Sequence, residues 1–398
     1  MPFADAAPDH QALRAFLALG GVGRWQLRAR ELSDRLRAGA HSARAAQQRH
    51  ALELVLARLA GKAEALASAG RTERRVCLLA QEAVRLSATL DDGPARRLRA
   101  LVERGLEGEG NLVPLFHLLR TAALFRARGF EVRHDGLLHG TAHDLMVRRE
   151  HALAEVACET LSAEEGRPLH KGDWAALVDM VNPELQTWLA AHPGRYVLKM
   201  TLPDGIADPA RLPELHRRIA GMLAAQKRQD SAADCILKLD PLALAGAQAG
   251  AALPARLRAQ FGQEAHLAVT GDAASGSVMV MAARAGRENE VSAAAARRLS
   301  DTAQARLSGR QPGILALFLE DLEPAEWHGL RASLELEGAC RRFLTTPEAR
   351  RVVAVTCATR QELLGLPGAA PEGELRFRNP AHPAARSPGL EPAIASSL

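Results

Sequence analysis

Several things are scarce in this sequence, and each scarcity narrows what the chain can be. There is no run of 18 or more apolar residues, so no membrane-spanning helix is expected. The start, MPFADAAPDH, has no basic stretch followed by an apolar one, so no signal peptide is expected. The five cysteines, Cys77, Cys158, Cys235, Cys340 and Cys357, are odd in number and far apart. They read as reduced thiols of a cytoplasmic protein, not as a disulfide framework or a paired-cysteine metal site. One tyrosine and nine phenylalanines do not support an aromatic platform for stacking bases. No nucleophile elbow is present, so Ser162, His170 and Asp173 do not make a case for acyl transfer. The glycine-bearing run 271–276 lacks the lysine of a phosphate loop and reads as a hairpin turn. No internal repeat is found.

What is present fits an ordinary globular protein. At roughly 100–200 residues per domain, 398 residues imply two or three domains. A hydrophobic fraction of 47% is enough for sizeable cores. The net charge is +5, and residues 1–110 hold 18 basic and 13 acidic side chains. The whole excess therefore lies there, and the remainder cancels. Such an excess suits an anionic partner such as DNA. Nearly all the basic residues are arginine, amid much Ala, Gly, Leu and Pro, as a GC-rich genome would also produce.

Residues 1–110 read as a helical N-terminal domain. Leu52, Val55, Leu56 and Leu59 recur at helical spacing, as do Val76, Leu79, Ala80 and Ala83. This stripe is either internal core or a surface for a protein partner. After Gly108–Gly110 the period changes. A helix over 113–128 ends at Gly129, and a short strand covers 130–133. A hairpin follows, with strands 143–148 and 152–159 around Arg149-Glu150-His151. Then come a helix over 171–191, a strand over 195–201, a helix near 209–227 and a strand over 234–239. Beyond the Ala/Gly-rich stretch 243–252, strands are expected at 266–270, 277–283, 314–319 and 352–356. Helices are expected at 292–307 and 324–343. The expected fold is α/β: a helical segment, then mixed sheet flanked by helices. The expected domains are 1–110, a core at 111–240, a further α/β region at 241–371, and an irregular Pro/Ala-rich tail at 372–398.

The stretch 115–174 carries the chemistry. Asp144 opens the hairpin. Glu155, Ala157 and Glu159 alternate on its second strand, so they share one sheet face, with Asp144 near one end of the row. Carboxylates on one face can hold Mg²⁺, which prefers oxygen ligands and can activate water against a phosphodiester. They can equally be the solvated face of an edge hairpin. His134, His139, His143 and His170 show no metal-ligand spacing and read as incidental. Trp174, Trp188 and Trp327 sit at core-like positions on helices.

A helix, a hairpin opened by Asp144, acids on the next strand and Ser162-Ala-Glu-Glu-Gly166-Arg167-Pro-Leu-His170-Lys171 together resemble the PD-(D/E)XK, or restriction-endonuclease-like, superfamily. Ser308-Gly-Arg-Gln-Pro312-Gly313 is similar to a recurrent helix-to-strand segment of such proteins. The resemblance covers residues 111–240, more loosely 265–358, and not the N-terminal helices. It implies a helix packed behind the hairpin and Mg²⁺-dependent DNA cleavage, with the ion on Asp144 and Glu155 and Glu159 assisting. The motif is degenerate. Aligned on the SAEEGR text, Glu-x-Lys falls on Ala157-Cys158-Glu159; aligned on the acid, it falls on Glu155-Val156-Ala157. Neither has the lysine, so Lys171 or Arg167 would have to replace it. His117 stands where such cores often have Glu. The two expectations are a weak DNA phosphodiesterase, or a silent nuclease fold kept for binding or assembly.

Overall fold

The computed structural model describes residues 9–37, 39–206, 208–242, 253–262, 264–272 and 276–397. The chain start, the Ala/Gly-rich stretch 243–252 and residues 273–275 of the expected hairpin turn lie outside the described residues. The described residues form eleven strands: β1 (Glu131–Arg133), β2 (Leu145–Arg149), β3 (Ala152–Ser162), β4 (Arg195–Leu202), β5 (Gln229–Ser231), β6 (Ile236–Pro241), β7 (His266–Asp272), β8 (Ser277–Ala285), β9 (Gly313–Glu320), β10 (Val352–Ala358) and β11 (Leu375–Arg378). The protein is mixed α/β, with two mixed sheets flanked by helices and a helical N-terminal segment. No helix among the described residues is long and apolar enough to cross a membrane.

The two sheets belong to two compact units. One comprises residues 1–33, 49–165 and 292–398; the other comprises 34–48 and 166–291. This interleaving corrects the linear division at 110, 240 and 371. Strand pairing, which acts across any separation, decides it: β3 pairs in parallel with β9 from Glu155↔Gly313 to Ser162↔Glu320.

The first unit holds a sheet in the order β1-β2-β3-β9-β10-β11. β1, β2 and β3 form an antiparallel meander, β3, β9 and β10 run parallel, and β11 returns antiparallel. Every residue of β9 is buried, as expected for a central strand covered on both faces. One face packs Val156, Ile314 and Ala316 on Leu118, Ala122 and Phe125 of the helix Val113–Ala127. The other packs Ala157, Leu315 and Leu317 on Leu299 and Ala303 of the helix Val291–Arg306. The N-terminal helices are not a separate body. Leu13, Phe16, Leu56, Leu79 and Val102 share one core with Phe116, Phe318 and Leu363.

The second unit holds the order β5-β6-β4-β8-β7, antiparallel except for the parallel pair β4 and β8. Its core joins Leu177, Val181 and Leu185 of the helix Lys171–Ala191 to Leu198, Met200 and Met281 of the sheet.

Three local expectations change. The helix expected over 324–343 is two helices, Pro324–Ala332 and Glu335–Leu344, parted where Leu334 adopts φ 59°. The helix expected over 209–227 is a 3₁₀ turn, Pro209–Arg211, leading into Leu212–Ala224. The tail is not irregular throughout. β11 pairs with β10, and Leu390, Ala393 and Ile394 are buried in the core. Their apolar side chains outweigh the helix-breaking composition around them.

Glu53 lies in the helix Ala51–Gly61 and is buried. Burial raises its pKa to about 7 against the Leu112 N–H, at 2.8 Å from Oε1, and the charges of Arg28 and Arg360. A raised carboxyl loses its proton later in the folded chain than in the unfolded one. Its cost therefore builds as pH rises from about 4.5 to about 7 and is constant above that. Glu53→Gln mimics the protonated form, so its stability gain over wild type should grow between pH 5 and 7. Urea unfolding at several pH values checks this; a gain independent of pH rejects it.

Candidate functional site

The hairpin turns at Glu150, whose φ is 57°. Leu145 then faces Val156, and the Asp144 N–H donates to the Val156 carbonyl at 3.0 Å. Asp144 therefore sits level with the middle of the row Glu155, Ala157, Glu159, not at its end. Its Oδ2 accepts the Cys158 N–H at 2.7 Å.

The cation beside these acids comes from a helix that the sequence reading had not connected with them. Arg306, in the last turn of the helix Val291–Arg306, is favoured there by the negative end of the helix dipole. Its Nη2 donates to Asp144 Oδ1 at 2.8 Å, and its Nη1 lies 3.4 Å from Glu159 Oε2. Nη1 also donates to the Cys158 carbonyl at 2.6 Å, and Nε to the Ala142 carbonyl at 3.0 Å. One guanidinium thus ties the approach to the hairpin to β3. Arg298 lies two helical turns earlier on the same face. Its Nη1 is 3.3 Å from Glu159 Oε1, and its Nη2 is 2.8 Å from Glu165 Oε2. Burial pushes the Asp144 carboxyl above its ordinary range, with Arg306 and the Cys158 N–H pulling against it.

Glu155 is fully buried and engaged elsewhere. Oε2 accepts the Ser308 N–H at 2.8 Å, and Oε1 accepts the Ser308 hydroxyl. Ser308 follows the Arg306 helix, so Glu155 fastens that helix end to β3. His143 stands between acids, with Nε2 3.5 Å from Asp135 and Nδ1 3.9 Å from Glu155. His117 is buried and donates from Nε2 to the Ala316 carbonyl at 2.8 Å; burial lowers its pKa to about 3. It is a neutral strut between helix and sheet.

Arg167 and Lys171, the expected replacements for the lysine, belong to the other compact unit, where Lys171 opens the helix Lys171–Ala191. The helix behind the hairpin is Val291–Arg306 instead. Ser162 donates to Asp321 at 2.6 Å, and Trp174 and Trp327 are buried. The five cysteines are free thiols.

A cleft of about 440 Å³ adjoins the site, lined by Arg97, Arg104, His117, Asp144, Glu159 and Arg306 among others. In this arrangement the residues do not fit a metal ion. Each of the six oxygens of Asp144, Glu155 and Glu159 already meets a protein donor. Among the described residues no cluster of His, Cys, Asp or Glu is disposed to hold one. Compared with protein-family models, with curated proteins and with solved structures, the chain matches none.

Proposed function

We propose that this chain is a catalytically silent, nuclease-like protein whose cleft binds the phosphate backbone of nucleic acid. The observation that carries the reading is the complete engagement of the three carboxylates, two of them by Arg306. A metal would have to displace a cation already held by several bonds. Support for the nuclease-like origin comes from the order of elements: the helix Val113–Ala127, the antiparallel strands β1 to β3, the helix Val291–Arg306 and the parallel strand β9. The resemblance to PD-(D/E)XK proteins implies the first part of that order, a helix, a hairpin opened by an acid and a helix packed behind it, whereas here residues 166–291 of the other unit intervene before that last helix.

The nucleic-acid half rests on the helix Asp92–Leu106. Arg96, Arg97, Arg99 and Arg104 are exposed on it, and none forms an ion pair among the described residues. Arg97 and Arg104, two turns apart, line the cleft. Arg97 is held in place by the Leu137 and Leu138 carbonyls, which accept from its Nε and Nη2 at 2.6 and 2.8 Å, and guanidinium groups without a carboxylate partner suit phosphate oxygens.

A second reading, a weak Mg²⁺-dependent DNA phosphodiesterase, is favoured by Asp144 and Glu159 lining one cleft. It requires Arg306 to yield to the ion. The two readings separate experimentally. Plasmid and single-stranded DNA should stay uncut with Mg²⁺ or Mn²⁺. Fluorescence anisotropy should detect DNA binding at low salt that falls steeply as salt rises. The pair Arg97→Ala and Arg104→Ala should weaken that binding about tenfold. Metal-dependent cleavage that disappears in Asp144→Ala would establish the second reading. Absence of binding at low salt would remove the nucleic-acid half.

A further inference from the structure

A second cleft, of about 580 Å³, lies in the same unit away from the carboxylates, and Arg341, Arg350, Arg378 and His382 line it. No Asp or Glu lines it. We infer that this cleft binds a nucleotide, its phosphates on Arg350 and Arg378 and its base against the apolar wall.

Arg341 has an ordinary explanation. It lies in the last turn of the helix Glu335–Leu344, where a cation counters the helix dipole, and it pairs with Glu337 at 2.6 Å. Arg350 and Arg378 are different. Both are exposed, and neither has a carboxylate within ion-pair distance among the described residues, though the charge of Glu348 acts on Arg350. Arg378 ends a strand, where no helix dipole asks for a cation. Like charges sharing one cleft repel each other, and an anion between them relieves that cost.

The lining also has an apolar part. Leu344, Pro347, Pro380 and Pro383 contribute to it, and the proline rings fix their backbone. Asn379 holds the loop in place. Its Nδ2 donates to the Val352 carbonyl at 2.9 Å, and its Oδ1 accepts the Ala381 N–H at 3.1 Å. His382 Nδ1 accepts the Ala384 N–H at 3.1 Å. The ring proton therefore sits on Nε2, which remains a donor. Burial lowers the pKa of this histidine, which keeps that tautomer at neutral pH. An ordered donor on His382, two exposed guanidiniums and apolar lining residues in a cleft of this volume match small-ligand sites. A ligand with both a phosphate and a flat apolar body uses all of them.

The test is titration calorimetry on the full chain with ADP, GDP, CDP and UDP, beside inorganic phosphate and adenosine. At least one nucleotide should bind, at least tenfold tighter than phosphate or adenosine. Arg350→Gln and Arg378→Gln, both at exposed side chains, should each weaken it about tenfold at unchanged melting temperature. Arg97→Ala should leave it unaltered, which separates this cleft from the proposed DNA surface. No nucleotide binding, equal affinity for phosphate alone, or variants that bind as wild type would each overturn the inference.

Discussion

Arg306→Ala is expected to destabilise the unit that contains it by about 3 kcal/mol. Removing one partner of a buried ion pair strands the other charge and costs on the order of 3–5 kcal/mol; a quarter of this side chain is exposed, which places the cost near the lower end. The loss exceeds one ion pair because Arg306 also donates to the Ala142 and Cys158 carbonyls. Asp144 suffers most, since burial already works against its charge. The same substitution should uncover the oxygens that Arg306 occupies. Mn²⁺ should then stabilise Arg306→Ala by mass action, while leaving wild type unchanged. Urea unfolding with and without Mn²⁺ measures both effects. Two separate cores allow two transitions, and the shift should fall on one of them. Equal stabilisation of wild type and variant by Mn²⁺ would show that Arg306 does not block the site.

Glu362→Ala should cost about 4 kcal/mol. Glu362 is 1% exposed and organises four donors. Oε2 accepts the Thr359 N–H and hydroxyl, each at 2.7 Å. Oε1 accepts Trp327 Nε1 at 3.0 Å and the Ala370 N–H at 2.8 Å. Each stranded buried donor costs on the order of 1–3 kcal/mol, only partly additively. Truncation also leaves a void beside Trp327, itself in the core. Glu362→Gln keeps one acceptor oxygen and turns an amide N–H₂ toward the remaining donors, so it should fall between wild type and alanine. Melting temperatures of the three proteins decide the matter. A loss under about 1 kcal/mol for alanine would mean that the donors find other partners.

Local periodicity carried much of the fold. The helix expected over 171–191 forms as Lys171–Ala191, and the hairpin turns at Glu150 as its pattern implied. Each depends on which neighbours face a core, and sequence spacing reports that directly. Parallel pairing is different. Nothing in 152–162 marks 313–320 as its neighbour, so the division into units was not legible. Nor did composition reveal the buried Ile394. Leu334 breaks a helix without glycine or proline beside it. At the site, the row of Glu155, Ala157 and Glu159 was legible from alternation. The cation was not, because Arg306 lies nearly 150 residues further on. Its one sequence signal was the neighbouring Ser308-Gly-Arg segment, whose serine binds Glu155.

The interleaving of the two units sets an order of events during synthesis. At roughly 5–20 residues per second, the ribosome finishes β3 on the order of ten seconds or more before β9 emerges. Through that interval one edge of β3 has no permanent partner, and an unpaired edge invites the wrong one. The second unit, most of which is made after β3, has its described strands complete by residue 285 and can close first. The N-terminal helices are made earliest, yet they wait for Phe318 and Leu363 to complete their core. The part of the chain that emerges first is therefore among the last to be finished.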